Sequence, residues 1–178
     1  MKRSLDKLDS LHRRLLDAIT PVTAERFAER PAENEWSLAE LIYHLSLVEQ
    51  SVVKSLTKEL ENPPQKSGLR QHLIPLSLLV GTRMIRIRAP KFVEPLDAPS
   101  KEVAIENFNS ARAALKALCT ENSKERLSRV RMKHPVLGKM NGIRAVDFLH
   151  YHEKRHYKQA LEIIKRLAPP QSKTPGSA

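Results

Sequence analysis

The segment Ala145 to Leu167, AVDFLHYHEKRHYKQALEIIKRL, constrains this chain more than any other. Read as a helix, it carries Ala145, Leu149, Ala160, Ile163 and Leu167 at three- and four-residue steps, the spacing of one buried face. His152 and His156 continue that face through its middle. Four residues apart, their imidazoles project from one side of the helix, about one turn from each other. A buried polar group without a partner costs roughly 1–3 kcal/mol. Any fold that accepts this helix must therefore give both rings a hydrogen bond or a metal.

Three further segments repeat the helical period. Residues 4–19 place Leu5, Leu8, Leu11, Leu15 and Ile19 on one face, with Ser4 as a candidate cap. Trp36 to Leu60 opens on Ser37 with Glu40 three residues later, a capping-box signature. Its stripe runs Leu38, Leu41, Leu45, Val48, Val52 and Leu56, and His44 falls on the same side between Leu41 and Val48. Trp36 reads as a packing staple just before the cap. Ser100 precedes the third segment, Lys101 to Glu121, whose apolar side is drawn from Val103, Ala104 or Ile105, Phe108, Ala111, Leu115 and Leu118.

These four segments predict an all-α four-helix bundle with a long crossover between the second and third main helices. Aromatic residues at 4% and five glycines argue against a β-sandwich or barrel. Residues 62–99 hold six of the twelve prolines and two of the five glycines, residues that punctuate such a link, and a link of this length joins helices running in the same direction. Within it, 72–80 suits a short helix, 84–88 alternates, and Arg83, Arg86, Arg88 and Lys91 read as a solvated basic face. Residues 134–142 read as a loop. The chain divides into one domain, 1–168, and a disordered tail, 169–178.

Charge and cysteine usage narrow the partners. The net charge is +11, from 31 Lys and Arg against 20 Asp and Glu. That balance raises nucleic acid as a partner, but no basic run is interleaved with aromatics as single-strand binders require. No specific nucleic-acid partner is expected. The first residues, MKRSLDKLDSLHRRLL, lack the apolar core of a signal peptide, and no apolar run reaches a membrane span. The single Cys119 fits a reducing compartment and a core position. The expected location is the cytoplasm.

Of the seven histidines, only His152 and His156 pair on a buried stripe, and His44 is aimed at the core from a second helix. His12 and His150 read as surface or interface residues, and His134 as a loop residue before a proline. Three neutral imidazoles on a divalent metal leave a position for water or substrate. Such a donor set suits Zn, Ni or Fe and can activate water or a thiol. No general base or other catalytic side chain stands out. His152-Glu153-Lys154-Arg155-His156 also satisfies the zincin pattern, with Glu153 as general base. Little chain remains after His156 for a further ligand, and Glu153 reads equally well as a solvated neighbour.

The segment N34-E-W-S-L-A-E-L-I-Y-H44-L-S-L-V-E49 resembles the WS…H-L…E signature of the DinB-like superfamily. H134-P-V-L-G138 followed by H152-E-K-R-H156-Y-K-Q159 resembles the ending of the same superfamily, and A89-P-K-F resembles part of its crossover. The resemblance spans Trp36 to Leu167. It implies a four-helix bundle with a three-histidine metal site, the ligands falling on His44, His152 and His156. It also implies a metal-dependent hydrolase or a thiol S-transferase using bacillithiol or mycothiol, acting on a small molecule as a homodimer. Members without metal or known activity keep open a non-catalytic, stress-related interaction bundle.

Overall fold

The computed structural model describes residues 2–63, 76, 80 and 90–168. In chain order the elements are α1 (Lys2–Ile19), α2 (Ala24–Ala28), α3 (Leu38–Leu60), a 3-10 turn (Lys91–Val93), α4 (Lys101–Glu121), α5 (Lys124–Arg129), β1 (Met132–His134), β2 (Gly138–Met140) and α6 (Gly142–Leu167). The four long helices α1, α3, α4 and α6 form the bundle.

Two apolar clusters fix the helix directions. One joins Ile19 of α1, Leu38 and Leu41 of α3, Ala104 of α4 and Ile163 of α6. The other joins Leu8, Val52, Leu56, Leu118 and Ala145 of the same helices. The end of α1, the starts of α3 and α4 and the end of α6 therefore share one pole of the bundle. Helices α3 and α4 run parallel and pack together, α1 and α6 likewise, and the second pair is antiparallel to α3 and α4 across the core. A parallel pair adjacent in sequence requires a connection as long as the bundle, which is the role of residues 61–100. The features expected at 72–80 and 84–88, the Arg83/Arg86/Arg88 cluster and the tail 169–178 lie outside the described residues, apart from Leu76 and Val80, both buried.

The sequence accounts for most helix ends. The Ser37 hydroxyl accepts from Glu40 N at 3.2 Å, and the Glu40 carboxylate accepts from Ser37 N at 2.8 Å. Arg30 holds the same carboxylate through Nε at 2.9 Å. Ser37 is buried, so water cannot replace the lost bond. We expect Ser37→Ala to cost about 1–2 kcal/mol, measured by urea unfolding; a cost under a few tenths would show that the cap is dispensable. The side chains of Ser100, Ser123 and Asn141 cap α4, α5 and α6 by accepting from Val103 N, Arg126 N and Arg144 N.

Several expectations need correction. Helix α1 begins at Lys2, which puts Ser4 inside the helix rather than at its cap. Val103 is exposed, and Ala104 takes the buried place in α4. The segment expected as a loop at 134–142 is a β-hairpin: Met132 pairs with Met140, Lys133 with Lys139 and His134 with Gly138. Three residues turn it, and Gly138 has φ +72°, the left-handed position such a loop needs and glycine occupies without strain. Period-two alternation puts Met132, His134 and Met140 on the face turned to the bundle, and both methionines are buried.

His12 is buried rather than at the surface. Its Nε2 donates to Asn109 Oδ1 at 2.8 Å and its ring packs on Phe108 at 4.2 Å. Burial, then the positive charge of Arg112, pushes its pKa down to about 4; Asn109 and Asp9 oppose this, and Lys116 adds to it. Between about 4 and the ordinary 6.5 the unfolded chain binds the extra proton, so this contribution to stability is complete above 6.5 and lost as pH falls towards 4. It amounts to about 3 kcal/mol at most. We expect His12→Gln to flatten the acid limb of the stability profile over that window; an unchanged limb would assign acid unfolding to other groups.

Candidate metal centre

Helix α3 contributes His44 and helix α6 contributes His152 and His156. Their directions are set by the stripes that bury Leu41, Leu45 and Val48 on one helix and Leu149, Ala160 and Ile163 on the other. One nitrogen from each ring lies within 4.8 Å of the other two. Ring centroids are 5.2 Å apart for His44 and His152, 5.1 Å for His44 and His156, and 4.6 Å for His152 and His156. The residues selected from the sequence thus converge, although 108 positions separate His44 from His152.

Hydrogen bonds orient two of the rings. His44 Nδ1 donates to the Val93 carbonyl at 2.7 Å, and a carbonyl can only accept, so the lone pair of the neutral ring is on Nε2. His156 Nδ1 pairs with Gln159 Oε1 at 3.0 Å, which places its lone pair on Nε2 as well. An imidazole held by its far nitrogen is the usual arrangement of a metal-binding histidine. Burial lowers the pKa of His44, with the bond to Val93 opposing it. Burial, followed by the charges of His156, His44, Arg155 and His134, takes His152 well below its ordinary value. Neutral rings are what a cation requires.

The donor set fits a divalent metal. His44 Nε2 and His152 Nε2 are 3.4 Å apart, and two nitrogens at about 2.05 Å from a tetrahedral ion would stand about 3.3 Å apart. With a cation held between them both Nε2 atoms would offer lone pairs, whereas without one a proton on His152 Nε2 lets it donate to His44 Nε2. Among the described residues this is the one group of three or more His, Cys, Asp or Glu side chains able to hold an ion.

The site opens on a cavity of about 730 Å³. Trp36, Val52, Phe92, Met132 and Phe148 make much of its wall, and charged side chains of both signs, Lys133 and Arg155 as well as Glu94 and Glu162, also line it. Trp36 does more than staple the start of α3, because its ring lies 4.8 Å from His44 and 6.3 Å from His156. Phe92 and Val136 stand exposed beside the cavity. Cys119 is buried in the core, and burial pushes its thiol up to about 11, so it offers no nucleophile here.

Glu153 is not a solvated neighbour, nor does it have the access a zincin base requires. It is buried on the side of α6 away from the cavity and binds Arg112 through Oε2 at 2.5 Å. Arg112 Nε and Nη2 also hold Glu49, at 2.7 and 3.1 Å, and Nη1 donates to the Leu8 carbonyl at 3.0 Å. Burial alone would lower the Arg112 pKa, but the two carboxylates outweigh it and hold it above its ordinary value. Burial raises Glu49, and it pushes Glu153 up to about 8 against the pull of Arg112.

Sequence reasoning missed this network, although a signal was there: Glu49 and Arg112 occupy stripe positions between Leu45 and Val52 and between Phe108 and Leu115. It also missed Val93, a carbonyl that no residue identity announces. His150 is half-buried beside Tyr151, and the described surface contains no helix long and apolar enough to cross a membrane.

Comparison with known proteins bears on this geometry. A sequence model of the DinB superfamily matches residues 7–160. The uncharacterized protein YuaE of Bacillus subtilis (strain 168) is 28% identical over 144 residues, covering 80% of this chain and 86% of YuaE. TT2238, a four-helix bundle protein, superposes with a TM-score of 0.63 at 18% identity, over 90% of this chain and 98% of its own. YfiT from Bacillus subtilis, described as a probable metal-dependent hydrolase of unusual four-helix bundle topology, also gives 0.63, at 12% identity over 93% and 86%.

Proposed function

This chain belongs to the DinB superfamily, and on that premise we propose that it is a metal-dependent enzyme whose His44, His152 and His156 hold a divalent ion. The observation that carries the reading is the paired orientation of His44 and His152, two Nε2 atoms 3.4 Å apart with His44 fixed from behind by the Val93 carbonyl. The resemblance in fold to YfiT supports hydrolysis as the reaction. A divalent metal held by these three residues would supply Lewis acidity and would make a water, or a low-molecular-weight thiol, nucleophilic near neutral pH.

The chain's own residues do the rest. The Val93 carbonyl and Gln159 hold His44 and His156 in the tautomer that offers Nε2. Trp36, Phe92 and Phe148 exclude water from one side of a small-molecule substrate. The arrangement is open to Zn, Ni or Fe, which share a taste for imidazole.

Metal analysis of the purified protein, followed by ester, amide and thiol-transfer panels with each metal restored, tests the reading. One equivalent of metal with hydrolytic turnover supports the hydrolase, and turnover only with bacillithiol or mycothiol supports S-transfer. Bound metal without any turnover would leave a non-catalytic metal-binding bundle, and no bound metal would overturn the site. The buried, single Cys119 supports a cytoplasmic setting. A homodimer rests on the family resemblance, and sedimentation equilibrium tests it.

A further inference from the structure

The cavity contains a fourth imidazole, and its polarity is opposite to that of the other oriented rings. His134 ends β1 and lines the same cavity as His152. Its ring meets Phe148 edge-on at 4.6 Å, and Phe148 lies 5.4 Å from His152. The hairpin tip folds back over His134, so that its Nδ1 accepts from Val136 N and Leu137 N, both at 3.1 Å. An atom accepting two amide protons must present its lone pair to them. The proton of the neutral ring is therefore on Nε2. Burial lowers the His134 pKa, and protonation of Nδ1 would break both amide bonds, so the neutral ring is the one the hairpin holds.

His44 and His156 donate from Nδ1 and present the Nε2 lone pair; His134 accepts at Nδ1 and presents an Nε2–H. A ring in that state does not ligate a cation through Nε2, but it can donate to an oxygen. The basic cavity side chains Lys133, Arg155 and Arg166 are long and rotatable, whereas this donor is held by the hairpin turn and an aromatic wall. Preorganised donors of that kind stabilise charge that develops on a substrate oxygen.

We propose that His134 is a catalytic hydrogen-bond donor, its Nε2–H directed to a carbonyl or oxyanion of a substrate seated beside His152. The proposal rests on the metal reading above, since the metal is what brings that oxygen to the cavity. It also assigns the hairpin a task, which is to fix one tautomer of one ring.

The test uses the full chain, zinc-loaded and labelled with 15N at histidine, titrated with acetohydroxamate as an oxygen-bearing metal ligand. Two-bond nitrogen–proton correlation spectra report the tautomer of each ring. We expect His134 to carry its proton on Nε2, zinc to move the Nε2 resonances of His44 and His156 but not to bind His134, and acetohydroxamate to move the His134 Nε2–H. His134→Ala should keep its zinc affinity and lose about tenfold in hydroxamate affinity; His134→Gln, whose amide can donate from a similar reach, should recover part of it.

A proton on Nδ1, a His134 resonance that responds to zinc as a ligand does, or an Nε2–H that acetohydroxamate leaves unmoved would overturn the proposal while zinc still binds His44 and His156. If zinc leaves those two rings unmoved, the metal reading fails and this one with it. Should His134→Ala not fold, the wild-type titration alone decides.

Discussion

On the proposed metal reading, zinc affinity is expected to fall by more than about a hundredfold when His44 is replaced by alanine, because loss of an outer-sphere partner alone typically costs 10–100-fold and this substitution would remove a donor. The other two donors come from one helix turn, so His44 is the sole contribution of α3 and the one that ties the site to the opposite side of the bundle. Isothermal titration or a competing chromophoric chelator measures the loss. A stability readout checks the same point independently. At a free-metal concentration of 100 times Kd the wild type gains about 2.7 kcal/mol, and the variant gains less than about 0.4 kcal/mol at that concentration. Equal metal-induced stabilisation in both proteins would remove His44 from the site.

Arg112→Leu is expected to destabilise the fold by about 3–5 kcal/mol near pH 8, the cost of leaving buried carboxylates without their cation. Glu49 and Glu153 both face Arg112 in the wild type, and burial already raises both above the ordinary carboxyl range. Without Arg112 they rise further. A carboxyl whose folded pKa is raised binds more protons in the native than in the unfolded state, so its cost is small near the unfolded value and grows as pH increases. The gap between wild type and variant should therefore widen as pH rises above the ordinary carboxyl range, through Glu49 first and through Glu153 only above about 8, as read by urea unfolding. Replacing all three residues with leucine should return stability to near the wild-type level, because an apolar set of similar volume has no ions to desolvate. A pH-independent gap would show that Arg112 acts by packing.

Residue spacing revealed the bundle because each long helix buries a stripe at helical spacing, and Ser37 and Ser100 mark helix ends where they were expected. The three histidines were legible for the same reason: they take places an apolar residue would occupy. The hairpin was not, since strands of three residues each are too short to show a period. Glu153 was misread through the wheel alone. A position about 100° from one buried face is on the surface of an isolated helix, but in a four-helix bundle it turns to the next neighbour, here Arg112 of α4. Carbonyls such as Val93 have no side-chain signature, so the orienting half of a metal centre is invisible in sequence.

The charged triad lies between the two apolar clusters, with Leu8, Val52 and Leu115 on one side and Leu15, Leu45 and Phe108 on the other. Apolar stripes by themselves tolerate sliding, since leucine packs nearly as well one turn along. Arg112 does not. A one-turn slip of α4, about 5.4 Å, would carry its guanidinium past both carboxylates into aliphatic surroundings and strip the Leu8 carbonyl of its donor. The cation thus works as an axial stop, selecting one sliding position of the helices out of several with similar hydrophobic burial. The positions of His44, His152 and His156 along the same axis inherit that choice.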